Sequence, residues 1–517
     1  MMRVAAAVIE DGPRVLVTRR KPGGRFGGLW EFPGGKIESG EAPETALARE
    51  IREELGLKIA VRDFVGRFPF LAAEAPFELL AYRASVQAGE IGLADHDLYR
   101  WMRPDELDPS GFAPADIPVV EALRGSRIGS EAVVLRPGKE KAVRRRHHWI
   151  FSGAVGAHPD FENGAILPVR DADGNLLGHG YFNRKSSIFG RMLGFDETPP
   201  FEALSDSLRR AVDMRRRLVE PETEAFRVVN GEGDGVPGLI ADKYADVLVL
   251  QVSTLGMERL KPAVVESLKT LLAPRTILER SNLPTRKEEG LAPAEGCLCG
   301  EDVEAVEIAE NGLRFRVEFG ASQKTGFYLD QRENRSLVRF RASGRRVLNA
   351  FSYSGGFTVA ALAGGAGGVD SVDISEKAIA LARTNCRLNG YESPDLGFFA
   401  ADVFDFLRTR DLSTYDFIIL DPPAFAKRKT EVVGACRGYK DVHRLVFRGA
   451  PRGALVLTFS CSYFVDENLF RQVIFQGAAE AKRRVRILQR HRQASDHPVN
   501  IYHPEGDYLK GFLLYVD

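Results

Sequence analysis

Cysteine is scarce in this chain: five among 517 residues, an odd number and widely scattered. That argues against a disulfide framework and for a reducing compartment. Cys297 and Cys299 form a lone C-x-C with no second pair nearby, which speaks against a zinc site. Net charge is also missing, with 71 basic residues balanced by 71 acidic ones. No global field therefore draws the chain to nucleic acid, and any RNA contact must come from local patches. No segment approaches ~18 uninterrupted apolar residues, so no membrane span is expected. The opening MMRVAAAVIEDG turns acidic after a short apolar run and reads as a strand rather than a signal peptide. No long internal repeat or low-complexity tract stands out. What is present is an ordinary globular composition, 44% apolar, ample for several buried cores. The length suggests about three to four domains, and a cytoplasmic location is expected.

Pattern changes divide the chain. Residues 1–124 read as strands around one strong helix, and the polar, glycine-rich stretch Arg124 to Ser130 reads as a linker. EAVVLRPGKEKAVRRRHHWIFSGAV and ILPVRDADGNLLGHGYF show short alternating runs broken by glycine turns, as in a small β-domain. Residues near 200–305 mix a basic amphipathic helix, LSDSLRRAVDMRRRLVE, with strands such as ADVLVLQV. From about 306, apolar strand, glycine turn and helix repeat through RVLNAF, GGVDSVDI, YDFIILDPP and GALVLTFS. That order implies a parallel, doubly wound sheet. The expected domains are 1–128, 131–198, 199–305 and 306–517, a multidomain α/β and α+β protein.

The most specific motif is GKIESGEAPETALAREIREELGL, Gly35 to Leu57. Gly35 and Glu41 precede Arg49-Glu50, Glu53-Glu54 and Gly56 at fixed spacings. Pro43 suits the first turn of a helix and Gly56 the residue past its end. Glu50, Glu53 and Glu54 stand at i, i+3 and i+4, on one face. Hard oxygen ligands on a rigid face suit Mg²⁺, which grips a diphosphate and lowers the pKa of an attacking water. The other reading is a solvated acidic helix face. The pattern is the Nudix box, and residues 1–128 resemble that pyrophosphohydrolase family, with its α/β/α sandwich. The resemblance implies Glu50 as base or ligand, Glu53 and Glu54 as metal ligands, and Arg49 with Glu41 as an orienting pair. LWEFPGG and FAPADIPVVEAL resemble MutT-like and CTP-type enzymes acting on nucleoside triphosphates. By that resemblance Asp116 sits at the base; a cap or turn role before Pro118 is the alternative. Asp95, His96 and Asp97 read as a surface turn rather than a further ligand.

The remaining motifs are KTGFYLDQR, LNAFSYSGGFTVAA, VDIS, the DVF after Ala401, LDPPAF, GACRGYKD, TFSCS, DHPV and YLKGF. Together they resemble the bacterial 23S ribosomal RNA (cytosine-5) methyltransferases across roughly 131–517. The resemblance implies a PUA-like β-domain, an α+β middle domain and a Rossmann-like class I methyltransferase using S-adenosyl-L-methionine. Ser352, Tyr353, Gly355 and Gly356 follow a strand at its carboxyl end, where small residues let a ligand approach the backbone. Asp373 is placed for the ribose hydroxyls and Asp402 for the adenine amine, though either alone reads equally as a helix cap or turn. Asn349 replaces the acidic residue of the generic pattern, as in the resembled family. Asp421-Pro422-Pro423 ends a buried run where the base should sit, with Phe425 beyond Ala424. Cytosine C5 is a poor nucleophile until a group adds at C6, and a thiolate suits that addition. Cys461 is the implied nucleophile and Asp421 the group on the base edge. On position alone, Cys461 reads as a small buried residue ending a strand. Cys386 and Cys436 read as structural.

Lys139, Lys141, Arg144, Arg145, Arg146, His147 and His148 crowd around Trp149 and Phe151. Such a patch suits phosphate contacts with base stacking, or is simply a solvated charge run. Arg215–Arg217 reads as the polar face of a helix. The expected partners are 23S rRNA or its large-subunit precursor and a nucleoside triphosphate. The expected function is C5-methylation of a 23S cytosine with Mg-dependent Nudix pyrophosphohydrolysis. The alternatives are methylation of another base, or a non-catalytic RNA- and nucleotide-binding assembly factor.

Overall fold

The computed structural model describes residues 2–23, 26–38, 40–70, 77–125, 132–319, 325–426 and 428–517. The expected linker beyond residue 125 and Lys324 of the KTGFYLDQR motif lie outside them. The chain forms two compact units, one of Met1–Asp213, Asp234–Leu239 and Gln251–Cys299, the other of Met214–Gly233, Ile240–Leu250 and Gly300–Asp517.

In the first unit, the opening stretch is indeed a strand, Met2–Asp11. It runs parallel to Phe77–Ala88 and antiparallel to Arg14–Arg20 in a mixed sheet. The Nudix-box helix is Pro43–Leu55, with proline in its first turn and Gly56 left-handed at φ 69° past its end. The Gly56 N–H caps the Arg52 carbonyl at 3.1 Å, an end that glycine tolerates without a Cβ penalty. Ala46, Leu47, Ile51 and Leu55 are buried. Leu47, Ile51 and Leu55 pack on Ala5, Ala7, Ile9, Leu80 and Tyr82 of the sheet. The acidic positions are left on the other flank. The small β-domain is a six-stranded sheet that includes Val133–Leu135, Ile166–Arg170, Leu176–Phe182 and Gly190–Gly194. Thr276–Ser281 and Ala294–Cys299 pair antiparallel.

The second unit contains the expected doubly wound sheet. Its order is Leu396–Ala400, Gly368–Asp373, Arg346–Ala350, Phe417–Leu420, Leu455–Ser460, Lys510–Val516, Val485–His491. The first five are parallel; Lys510–Val516 runs antiparallel to them, and Val485–His491 pairs antiparallel with it. Successive residues feed opposite faces: Leu348, Ile418 and Val456 enter one core, while Val347, Ile419 and Leu457 enter the other. Both faces are covered, which is why these strands read as continuous apolar runs. The order reverses between Arg346–Ala350 and Phe417–Leu420. Ligands of open α/β sheets bind outside the carboxyl ends of the strands at such a point.

Candidate active sites

The Nudix-box carboxylates are placed by backbone fit. A Cβ on Gly35 would lie 2.2 Å from the Glu50 carboxylate, so glycine there is what lets Glu50 fold over the loop. Arg49 donates to Glu41 through Nε at 3.2 Å and Nη2 at 3.1 Å, and to Glu50 at 2.9 Å. Its guanidinium lies 3.6 Å from Glu53. Hydrogen bonding from Arg49 lowers the Glu41 pKa. Glu54 is held differently. Burial first, then Glu31, Glu50 and Asp95, raise its carboxyl to about 7, against an opposing pull from His96. Its Oε2 is buried without a hydrogen-bond partner. A buried oxygen with excess negative charge around it and nothing to bond fits a hard cation. Glu53 is 62% exposed in its side chain, and the three carboxylates do not all bring an oxygen within 4.8 Å of one another. The orphaned Glu54 oxygen is the observation that fits a hard cation such as Mg²⁺, with Glu54 the inner member of the acidic set and Glu53 at its rim.

Two residues around this cluster depart from expectation. His96 is not on a surface turn; it opens the strand His96–Met102 and is 4% exposed. Its Nε2 lies 2.7 Å from Glu31 Oε1, while Arg20 Nε donates to Glu31 Oε2 at 2.5 Å. Asp97 instead accepts two bonds from Arg19, at 3.0 and 2.8 Å. Glu31 belongs to LWEFPGG, and only the fold brings it beside Glu54. Asp116 is buried and directly precedes the helix Ile117–Gly125. Its side chain turns to the strand region, where Oδ1 accepts from the Phe32 N–H at 3.1 Å. Burial, then Glu31, raise its pKa well above the ordinary carboxylate value.

The second unit holds a cavity of about 450 Å³ at the carboxyl ends of the parallel strands. Ser352, Tyr353, Gly356, Asp373, Asp402, Asp421, Phe425 and Cys461 all line it. Gly355 does not; it is the hinge behind, at φ 78°, where a Cβ would meet that of Ala382 at 2.7 Å. Phe351 and Tyr353 are also left-handed, at φ 63° and 44°. Such strain persists where surroundings enforce it. Here the Tyr353 N–H donates to Asp373 at 2.9 Å and its hydroxyl to the Gly326 carbonyl at 3.0 Å. Ser352 Oγ is buried without a hydrogen-bond partner, an orphaned polar group that fits a polar cofactor at this loop. Asp402 accepts from the Asp405 N–H at 3.1 Å: it caps the helix Val403–Thr409 and also faces the cavity. Asn349 lies outside the lining, fully buried, and donates to Thr358 Oγ1 at 2.9 Å.

Asp421 and Cys461 stand in this cavity with Phe425. The Phe425 ring packs 4.7 Å from Tyr439, over Gly438, where a Cβ would come within 3.2 Å of it. That accounts for the second glycine and the tyrosine of GACRGYKD. The Tyr439 hydroxyl joins Ser460 Oγ at 3.0 Å and Ser462 Oγ at 3.1 Å, pinning both neighbours of Cys461. Tyr328, from KTGFYLDQR, also lines the cavity. Burial, then Asp421, Tyr353 and Cys461, raise its phenol pKa. Sequence spacing could not single out Tyr328, which lies more than 90 positions from Asp421. Cys386, by contrast, is buried and pushed up to about 12, and burial also raises Cys436.

In the basic patch, Arg144, Arg145 and Arg146 are exposed. Arg144 donates to Asp171 at 2.5 Å. His148 does not belong to the patch: it is 3% exposed, 2.9 Å from the Met192 carbonyl, with its ring against Phe195. Arg215 is likewise no surface residue. It is buried and donates to the Arg227 and Asp496 carbonyls at 2.7 and 2.6 Å.

Three family models match the chain: the NUDIX domain over residues 1–123, the PUA-like domain over 133–195 and the S-adenosylmethionine-dependent methyltransferase over 283–478. Ribosomal RNA large subunit methyltransferase I of Shewanella denitrificans is 40% identical over 394 residues, 74% of this chain and 99% of that protein. The chain belongs to this family. The family member from Aeromonas salmonicida is 40% identical over 389 residues, covering 74% of this chain and 98% of its own. A Streptococcus mutans structure described as a SAM-dependent methyltransferase has the same fold over 74% of this chain and 99% of its own, with TM-score 0.64 and 23% identity.

Proposed function

We propose that this protein methylates C5 of a cytosine in 23S rRNA with S-adenosyl-L-methionine, and that its Nudix domain hydrolyses a nucleoside triphosphate with Mg²⁺. The observation that carries the first activity is the placement of Cys461 and Asp421 in one cavity with the cofactor-loop residues. S-adenosyl-L-methionine supplies an electrophilic methyl group; Ser352, Tyr353, Gly356, Asp373 and Asp402 are the residues that would hold it. Asp421 orients the base edge and stabilises charge at N3, and Phe425 walls the pocket. The Cys461 thiolate adds to C6, and the displaced electron pair makes C5 nucleophilic. C5 takes the methyl group; loss of its proton then restores the double bond and expels the thiolate. Family membership supports rRNA as the substrate, and Arg144, Arg145 and Arg146 offer phosphate contacts.

In the Nudix domain, Glu50, Glu53 and Glu54 would hold Mg²⁺, with Glu50 also suited to accept the proton of the attacking water. The buried, unpartnered Glu54 oxygen supports this reading. The buried Asp116 carboxyl, with Oδ1 fixed by the Phe32 N–H, suits recognition of a base edge. The reading assigns 1–128 to the Nudix domain, 131–198 to the PUA-like domain, 199–305 to the middle domain and 306–517 to the methyltransferase, in a cytoplasmic protein. No helix among the described residues is long and apolar enough to cross a membrane.

The deciding experiment is mass spectrometry of nucleosides from unmodified 23S rRNA incubated with S-adenosyl-L-methionine. Wild type should produce 5-methylcytosine, and Cys461→Ala should lose it by roughly a thousandfold or more while still binding the cofactor. A different methylated base would overturn the cysteine mechanism. No product under any conditions would favour the assembly-factor alternative.

A further inference from the structure

Lys510 opens the strand Lys510–Val516 and pairs across the sheet with Ser460, the residue before Cys461. It is 7% exposed. Its ammonium donates to the carbonyl of Ser462, the residue after Cys461, at 2.7 Å, and to that of Tyr508 at 2.7 Å. Among the described residues it has no carboxylate partner. A buried ammonium held by neutral carbonyls alone is costly, and such charges are ordinarily paired.

The negative charges that reach it are few. After burial, which lowers the Lys510 pKa, the influences are Cys461, then Asp507 and Asp466. Both aspartates are engaged elsewhere: Asp507 accepts from Arg492, and Asp466 accepts from the Leu469 N–H at 2.8 Å. Among the described residues, Cys461 also acts on Tyr328 and Tyr439, phenols whose pKa burial raises, so both are neutral. Asp421 shares the cavity and its charge opposes a thiolate. Among the described residues, Cys461, flanked by the Ser460 that Lys510 pairs with and the Ser462 it bonds to, is left to answer the buried cation.

We propose that the Lys510 ammonium is the counter-ion of the Cys461 thiolate, a positioning residue that keeps the nucleophile ionised at neutral pH. The proposal rests on the reading of Cys461 as the nucleophile. Cys461 gives its proton to solvent, and Lys510 keeps all three of its own. Its anchoring to the Ser462 carbonyl fixes the cation to the same stretch of backbone that carries the thiol.

The test is the pH dependence of iodoacetamide alkylation at Cys461, followed by peptide mass spectrometry on the full-length protein without RNA. Wild type should show a midpoint at least about one unit below the ordinary thiol value of about 8.5. Lys510→Met should raise the midpoint by about a unit or more, slowing alkylation at pH 7 roughly tenfold. Lys510→Arg should stay within about half a unit of wild type, since it keeps the charge. Retained S-adenosyl-L-methionine binding reports that each variant is folded. A wild-type midpoint at or above 8.5 overturns the proposal without any variant, as does an unshifted midpoint in Lys510→Met. The two readings fail separately. A depressed midpoint with methylation surviving in Cys461→Ala sinks the nucleophile alone. An ordinary midpoint with methylation abolished in that variant sinks the Lys510 pairing alone.

Discussion

His443 lies behind the strand that delivers Cys461, 1% exposed, with Nδ1 2.6 Å from the Tyr439 carbonyl and Nε2 2.9 Å from Thr458 Oγ1. The carbonyl can only accept, so Nδ1 carries the proton and Nε2 accepts from the threonine. Burial lowers the pKa of this imidazole to about 4. Between the ordinary value of about 6.5 and about 4, the unfolded chain binds a proton that the folded chain refuses. Stability should therefore be complete above pH 6.5, fall as pH drops through that window, and level off below it. The contribution is on the order of 3 kcal/mol. Denaturation midpoints of wild type and His443→Gln at pH 7.5 and 5 check this; the variant should lose less on acidification. Equal losses would place the acid sensitivity elsewhere. Residue identity was legible here and residue role was not: His443 appears in no motif drawn from the sequence.

Glycines in the two catalytic loops explain why these elements were readable. Gly35→Ala should push Glu50 off its seat, because the new methyl carbon falls 2.2 Å from the carboxylate. A shift of that order typically costs about a hundredfold in rate. We expect nucleotide hydrolysis to fall by roughly that factor, measured as pyrophosphate release. Gly355→Ala adds a Cβ at φ 78° and 2.7 Å from Ala382. Its strain, on the order of 1–3 kcal/mol, should appear as weakened S-adenosyl-L-methionine binding in calorimetry. The Nudix helix was legible to its ends because Pro43 and Gly56 act through purely local backbone preferences. The loop 351–353 was legible as a turn but not in its conformation. Its left-handed Phe351 and Tyr353 are held by Asp373 and Gly326, contacts that no local rule contains.

Across the whole molecule, the two candidate sites lie in separate compact units with separate residue sets. Glu54→Gln should therefore reduce hydrolysis while leaving RNA methylation unchanged, and Cys461→Ala should do the reverse. Parallel assays on both variants check this, and a joint loss would show that the activities are coupled. Replacing Arg144, Arg145 and Arg146 with glutamine should weaken RNA binding. It should also flatten the dependence of log affinity on log salt by roughly 0.7–0.9 per lost phosphate contact. The sequence by itself determined the division into a Nudix segment, a β-rich PUA-like segment and a parallel α/β segment. Spacing, turn chemistry and strand periodicity are local properties and survive in one dimension. Through its family motifs it also pointed to Glu50, Glu54, Asp421 and Cys461; chain position alone left Cys461 a small buried residue ending a strand. Only the tertiary structure decided which distant groups share a cavity and which polar residues leave water. It drew Glu31 and His96 beside Glu54, took His148 and Arg215 into the interior, and set Tyr328 and Lys510 around Cys461. Burial and charge pairing depend on neighbours far apart in the chain, and those neighbours exist only once the sheets are packed.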